Sequence, residues 1–158
     1  MWPEPVERVA RELRAAATEA TVQEFPEGTP TAEAAAKAVG CRLEQIVKSL
    51  VFVCDEAYVL AMVPGDRRAD ERRVGEAAGA EAVRVARAGE VVEATGFEPG
   101  GVAPFPLAAI EDVFIERTLL QHGRVWIGAG SPAHMAGLAP GELQRLSGAR
   151  AADLVAPR

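Results

Sequence analysis

The chain has 158 residues, 49% of them hydrophobic and 25% charged, which suits one globular domain with one core. Those proportions exclude a disordered tail, a collagen-like repeat and a disulfide scaffold, and no run approaches the ~18 consecutive apolar residues that span a bilayer. Seventeen basic against 23 acidic residues leave a net charge of −6. Any contact with nucleic acid must therefore be local, such as a groove that takes one end of a strand. Met1 to Glu12 mixes charges of both signs without an apolar centre, so it does not read as a signal peptide. With only Cys41 and Cys54, the expected compartment is a reducing cytoplasm. Lys37 and Lys48 are the only two lysines, so fifteen of the 17 basic residues are arginine, a skew that most simply reflects a biased composition.

In chain order, Pro3 and Pro5 stand where helix starts tolerate proline, and Val6, Val9, Leu13 and Ala17 follow at helical spacing. Thr21 to Phe25 alternates as a short strand, and Pro26 to Pro30 reads as a loop. Thr31 is placed to cap an Ala-rich helix that Gly40 ends. Ile46–Val53 and Tyr58–Val63 are rich in β-branched residues and predict a hairpin turning at Cys54 to Ala57. A helix over Asp70–Ala78 ends at Gly79, and Ala82–Ala86 reads as a third core strand. Glu90–Thr95 predicts a short helix stopped by Gly96. Asp112–Glu116 and Arg124–Gly128 predict strands, and Pro140 begins a last helix that ends at Gly148. Strands and helices interleave irregularly, which favours a mixed sheet wrapped by helices over a strict βαβ series.

Lys48 is the most informative residue. By alternation it shares a strand face with Ile46, Leu50 and Phe52. An ammonium among such neighbours needs an anion, a carbonyl or a route to water, or it loses its proton. It is either the floor of a pocket aimed at a phosphate, carboxylate or ester oxygen, or a lysine snorkelling from a strand end. Spacing alone favours the second. The segment Pro99 to Pro106 holds three prolines and two adjacent glycines, a stiff frame able to present backbone groups to a ligand. Read alone, it is an ordinary helix-to-strand connection.

Gly128-Ala129-Gly130-Ser131-Pro132-Ala133 matches a dinucleotide-binding fingerprint, but Gly137 and Pro140 follow too soon for a crossover helix. The segment therefore reads as a tight glycine turn between strands, with Ser131 and His134 near a pocket or as satisfied turn residues. Neither Cys41 nor Cys54 has a histidine at a spacing that supports a nucleophile–base pair, and no metal-ligand motif is present. Asp66 to Arg73 holds four arginines among three acids and reads as a solvated turn and helix start.

Three segments, in order, resemble the YbaK/ProX family of prolyl-tRNA editing domains and free-standing aminoacyl-tRNA deacylases. They are Gln45-Ile46-Val47-Lys48-Ser49-Leu50, the G-x-x-x-P run within Gly100-Gly101-Val102-Ala103-Pro104-Phe105, and Gly128 to Ser131 followed by a strand and Pro140-Gly141-Glu142-Leu143. The resemblance implies an α/β (α+β) fold with a mixed, partly barrel-like β-sheet surrounded by helices, in one domain over residues 1–158. It implies hydrolysis of the ester of a mischarged tRNA, usually tRNA for proline, with no cofactor, no metal and no covalent enzyme intermediate. The partners it implies are the acceptor end of aminoacyl-tRNA and prolyl-tRNA synthetase, with no membrane involved.

By the same resemblance, Lys48, Gly100 and Gly101 carry the reaction. The substrate pocket draws on Phe25, Thr31, Ser49, Val102, Ala103, Pro104, Phe105, Gly130, Ser131 and His134. The chain departs from many members at Ser131-Pro132-Ala133-His134-Met135, where charged residues are common, which leaves the amino acid removed open. Two further readings stand beside this one: a non-catalytic module that binds aminoacyl-tRNA or a synthetase, and an unrelated hydrolase using Cys54 or His134.

Overall fold

The computed structural model describes residues 2–157; Met1 and Arg158, the two ends of the expected domain, lie outside the described residues. Helix α1 (Glu4–Ala15) begins behind Pro3 and buries Val6, Val9, Ala10 and Leu13. It stops short of the expected Ala17, whose φ of 56° is left-handed. Strand β1 (Val22–Glu24) follows. Helix α2 (Ala32–Val39) is bounded by local chemistry: Thr31 Oγ1 accepts the Ala34 N–H at 3.0 Å, and Gly40 closes it in the left-handed region.

Strands β2 (Val47–Cys54) and β3 (Ala57–Pro64) pair antiparallel with Cys54 opposite Ala57, so the hairpin turns on Asp55 and Glu56. Asp70 caps α3 (Glu71–Ala78) by accepting the Arg72 N–H at 2.9 Å. The rest of the chain forms β4 (Val83–Val85), α4 (Ala88–Thr95), β5 (Asp112–Glu116), β6 (Val125–Ser131), β7 (His134–Leu138), α5 (Pro140–Ser147) and β8 (Arg150–Ala152).

The described strands make two sheets, β1-β7-β6 and β4-β2-β3-β5-β8. The larger is mixed: β2 pairs antiparallel with β3 and β4, while β5 runs parallel to both β3 and β8. A single parallel bridge between Ile46 and Trp126 joins the sheets where β2 meets β6. The two sheets meet at that bridge and do not close into a barrel.

Two expectations need correction. Ala82–Ala86 is not a core strand: β4 is a three-residue edge strand, and Val85 is 60% exposed. Its valines satisfy strand propensity, but among the described strands it pairs with β2 alone, at the edge of the sheet. Gly128 to Ser131 is not the turn. Strand β6 runs through it with a register shift between Gly128 and Ser131, and the chain turns at Pro132-Ala133. The glycines serve close backbone approach there rather than reversal.

The main core lies between the two sheets, with α1 and α5 against it: Val9, Leu13, Val47, Val51, Leu60, Phe97, Ile115, Ile127 and Leu143 belong to it. A second cluster on the other face of β2–β3 gathers Phe52, Cys54, Val59, Val74 and Leu154, with Leu50 at its edge. A third joins Ala35, Ala36, Ile46, Trp126 and Met135 under α2. Alternation along β2 thus holds. Yet the apolar neighbours of Lys48 divide between the last two clusters, so its side chain emerges at the seam rather than inside either one.

Candidate active site

That seam opens into a cavity of about 360 Å³. Thr29 to Ala32, the start of β2 from Ile46 to Leu50, Gly100 and Val102, and Gly128, Ser131, His134 and Met135 line it. Its margin at Pro30, Thr31 and Gly100 is exposed to solvent. Seven expected site residues converge here: Thr31, Lys48, Ser49, Gly100, Val102, Ser131 and His134.

Lys48 is half-buried and donates from Nζ to the Arg67 carbonyl oxygen at 2.5 Å. An ammonium carries three donors, so two remain for a ligand. Burial pushes its pKa down from the usual 10.5; the carboxylates of Asp66 and Glu33 push it back up, and the Arg68 guanidinium adds to the lowering. Ser49 turns to the opposite face of β2. Its Oγ is buried without a hydrogen-bond partner among the described residues, although the residue lines the same cavity.

The facing wall is main chain. Phe97, Ala103 and Phe105 are all buried in the core and pin both ends of the loop between α4 and β5. The stretch between them lies directly on β6. A Cβ added to Gly101 would sit 2.8 Å from Ser131 Cα, and one on Gly128 would sit 2.7 Å from the Val102 carbonyl oxygen. Gly130, with φ of 101°, admits the first turn of α1 from behind, where a Cβ would meet Pro5 at 2.7 Å. The Pro26–Pro30 loop is tied to the β6–β7 turn, because the Pro132 carbonyl accepts both the Thr29 N–H at 2.7 Å and the Thr29 hydroxyl at 2.9 Å.

The other expected residues stand apart from the cavity surface. Ala103, Pro104 and Phe105 are buried, the first and last in the main core, so they hold the loop rather than face the cavity. Gly101 and Gly130 act through backbone spacing. Phe25 packs beside the cluster under α2, its N–H on the Ala133 carbonyl at 2.7 Å. Sequence reasoning missed the Arg67 carbonyl, Gly128 and Glu24, whose carboxylate lies 3.4 Å from His134 Nε2. The Arg67 and Glu24 contacts depend on strand register and leave no local mark; the glycine pair at 128 and 130 was visible but ambiguous. Among the described residues no cluster of three or more His, Cys, Asp or Glu side chains is placed to hold a metal ion. No described helix is long and apolar enough to cross a membrane.

A lysine ammonium and a glycine-built main-chain wall thus meet around one open cavity. The chain belongs to the aminoacyl-tRNA editing domain family, whose model matches residues 26–146. It is 35% identical over 127 residues to the uncharacterised protein YwhH of Bacillus subtilis (strain 168), covering 80% of each chain. A proline–tRNA ligase of Lactobacillus johnsonii is 35% identical over 85 residues, which are 54% of this chain but 15% of the ligase. The chain therefore corresponds to one segment of that much longer enzyme. A crystal structure of a proposed trans-editing enzyme for prolyl tRNA synthetase superposes with a TM-score of 0.92 at 35% identity, covering 99% of this chain and 100% of the other.

Proposed function

We propose that this protein is a trans-editing deacylase that hydrolyses the ester of mischarged aminoacyl-tRNA, with misacylated tRNA for proline as its substrate. The observation that carries the reading is the Lys48 ammonium, with donors to spare, set against the Gly100–Val102 backbone in one open cavity. An aminoacyl ester is already activated, so orientation and donors aimed at the developing oxyanion supply much of the acceleration. Water adds to the carbonyl carbon and the bond to the ribose oxygen breaks, releasing a free amino acid and uncharged tRNA. Lys48 binds the terminal adenosine or the aminoacyl group, Thr31 offers a hydroxyl at the cavity margin, and the loop backbone positions the carbonyl.

The acidic net charge suits entry of only the single-stranded acceptor end. The similarity to segments of proline–tRNA ligases supports placing the protein after such a ligase, in the cytoplasm, on tRNA that the ligase has mischarged. Selection among amino acids then depends on cavity size, where a methylene is worth about 1–3 kcal/mol.

The test is a deacylation panel of tRNA for proline charged in turn with alanine, cysteine, serine, threonine and proline. Loss of one or two non-cognate esters with prolyl-tRNA spared is the expected result. Tight binding of a non-hydrolysable aminoacyl-adenosine analogue with no turnover of any ester would replace the deacylase by a binding module.

A further inference from the structure

A lysine carries its ammonium on a long flexible stem, so the charge has no fixed place unless an acceptor holds it. For Lys48 that acceptor is the Arg67 carbonyl oxygen, 2.5 Å from Nζ. Arg67 lies in the connection between β3 and α3, outside any helix or longer strand. A carbonyl on such a connection holds an ammonium only as firmly as the connection is itself held.

Both sides of Arg67 are tied down. Before it, the Gly65 N–H donates to the Ile46 carbonyl at 2.8 Å, and a Cβ on Gly65 would sit 2.7 Å from the Leu43 carbonyl oxygen. After it, residues 68–70 pair with residues 154–156. The Ala156 N–H donates to the Arg68 carbonyl at 3.1 Å and the Asp70 N–H to the Leu154 carbonyl at 2.8 Å, around a bridge between Ala69 and Val155. Residues 154–156 form a strap with anchors of its own. Leu154 and Val155 are buried in the second apolar cluster. The Leu154 N–H donates at 2.8 Å to the carboxylate of Glu116, which is 2% exposed and also accepts the Thr118 N–H at 3.0 Å.

The Arg67 guanidinium closes this arrangement by donating to the Ala156 carbonyl. Arg72 and Arg73, in the same basic run, pair with Glu76 and Asp70 as a solvated helix start would. Arg67 instead grips the strap with its side chain and the Lys48 ammonium with its main chain.

We propose that Arg67 is a positioning residue for Lys48: its guanidinium, clasped on Ala156, fixes the carbonyl that holds the ammonium, and so aims the two remaining ammonium donors at the ligand. Arg67 is not among the residues lining the cavity, so it acts through Lys48. Its effect on rate rests on the deacylase reading above; the clasp itself does not. An arginine that only braced the fold would lower stability and leave the Lys48 side chain as ordered as before.

That difference is measurable because the chain has only two lysines, and Lys37 is exposed. Carbon-13 relaxation of the lysine ε-methylenes in the intact protein gives two signals, with Lys37 as the internal reference. Lys48 is expected to be the more ordered in wild type and to approach Lys37 in Arg67→Met, which keeps the apolar stem and loses the donors. Arg67→Lys, which keeps a donor for the Ala156 carbonyl, is expected to restore the order. In deacylation, Arg67→Met should lower kcat/KM on the order of 10-fold, because donor placement sets the rate. Added to Lys48→Ala, it should change the remaining rate by less than about twofold, since the two residues act as one unit. A Lys48 as mobile as Lys37 in wild type, or equally ordered in Arg67→Met, overturns the clasp. So does a 10-fold loss that is the same with and without Lys48. A wild type that hydrolyses no aminoacyl-tRNA overturns the deacylase reading, and the relaxation comparison still decides the clasp.

Discussion

The two ends of the β2–β3 hairpin each carry a cavity of nearly the same size. One, about 360 Å³, holds Lys48; the other, about 380 Å³, holds Cys54 with Asp55, Glu56 and Asp112. They differ in how far their polar groups are already committed. At the turn end Asp55 accepts the Glu81 and Ala82 N–H groups, and Asp112 pairs with Arg150. Burial pushes the Cys54 thiol up, and the Asp55 and Asp112 carboxylates push it further, so it stays a poor nucleophile. At the open end Lys48 keeps two donors, the Ser49 hydroxyl has no partner among the described residues, and the facing wall is main chain, exposed at Gly100 and half-buried at Val102 and Gly128. Volume does not make a site; uncommitted polar groups converging on it do.

The largest expected effect comes from Lys48→Ala. Deacylation should fall by at least about 100-fold, equivalent to about 3 kcal/mol, while circular dichroism and the melting profile stay near wild type. Retained turnover would remove the main distinction between the two ends.

The backbone wall comes next. Gly128→Ala sets a Cβ against the Val102 carbonyl, which is main chain and cannot rotate away. The loop must shift, costing about 1–3 kcal/mol of stability. A misplacement approaching 1 Å lowers activity by up to about 100-fold. Comparing unfolding midpoints with kcat/KM would show whether the loop's position, rather than the fold, sets the rate.

Alkaline pH gives a graded effect. Activity that depends on the Lys48 ammonium should be lost as pH rises through its lowered pKa, below the usual 10.5. The sign for stability is opposite. Between the lowered folded value and 10.5 the unfolded chain binds more protons, so this residue's contribution to stability rises with pH across that window. Rates corrected for uncatalysed ester loss, alongside denaturant midpoints over the same pH range, would check both directions.

The smallest effect should come from Cys54→Ser, with deacylation within about twofold of wild type because an inert buried thiol takes no part. A large loss of activity would bring the turn-end cavity into the chemistry and favour a cysteine hydrolase.

The amino-acid sequence by itself determined the features whose causes are local. Thr31 and Gly40 bound α2, Asp70 and Gly79 bound α3, Pro140 and Gly148 bound α5, and each works through a few adjacent backbone groups. Alternation along β2 placed Lys48 on a defined face, and three short segments identified the family. Only the tertiary structure decided the rest. The fate of Lys48, whether pocket floor or snorkelling strand end, depended on the Arg67 carbonyl and on the parting of two apolar clusters around it. Gly128 and Gly130 looked like a turn because glycine relieves both φ strain and crowding, and the crowding came from Val102 and Pro5, distant in the chain. Ala103 and Phe105 looked like pocket residues by motif, yet packing turned them inward. Glu24 met His134 through strand register alone, since pairing brings together side chains whose separation along the chain carries no signal.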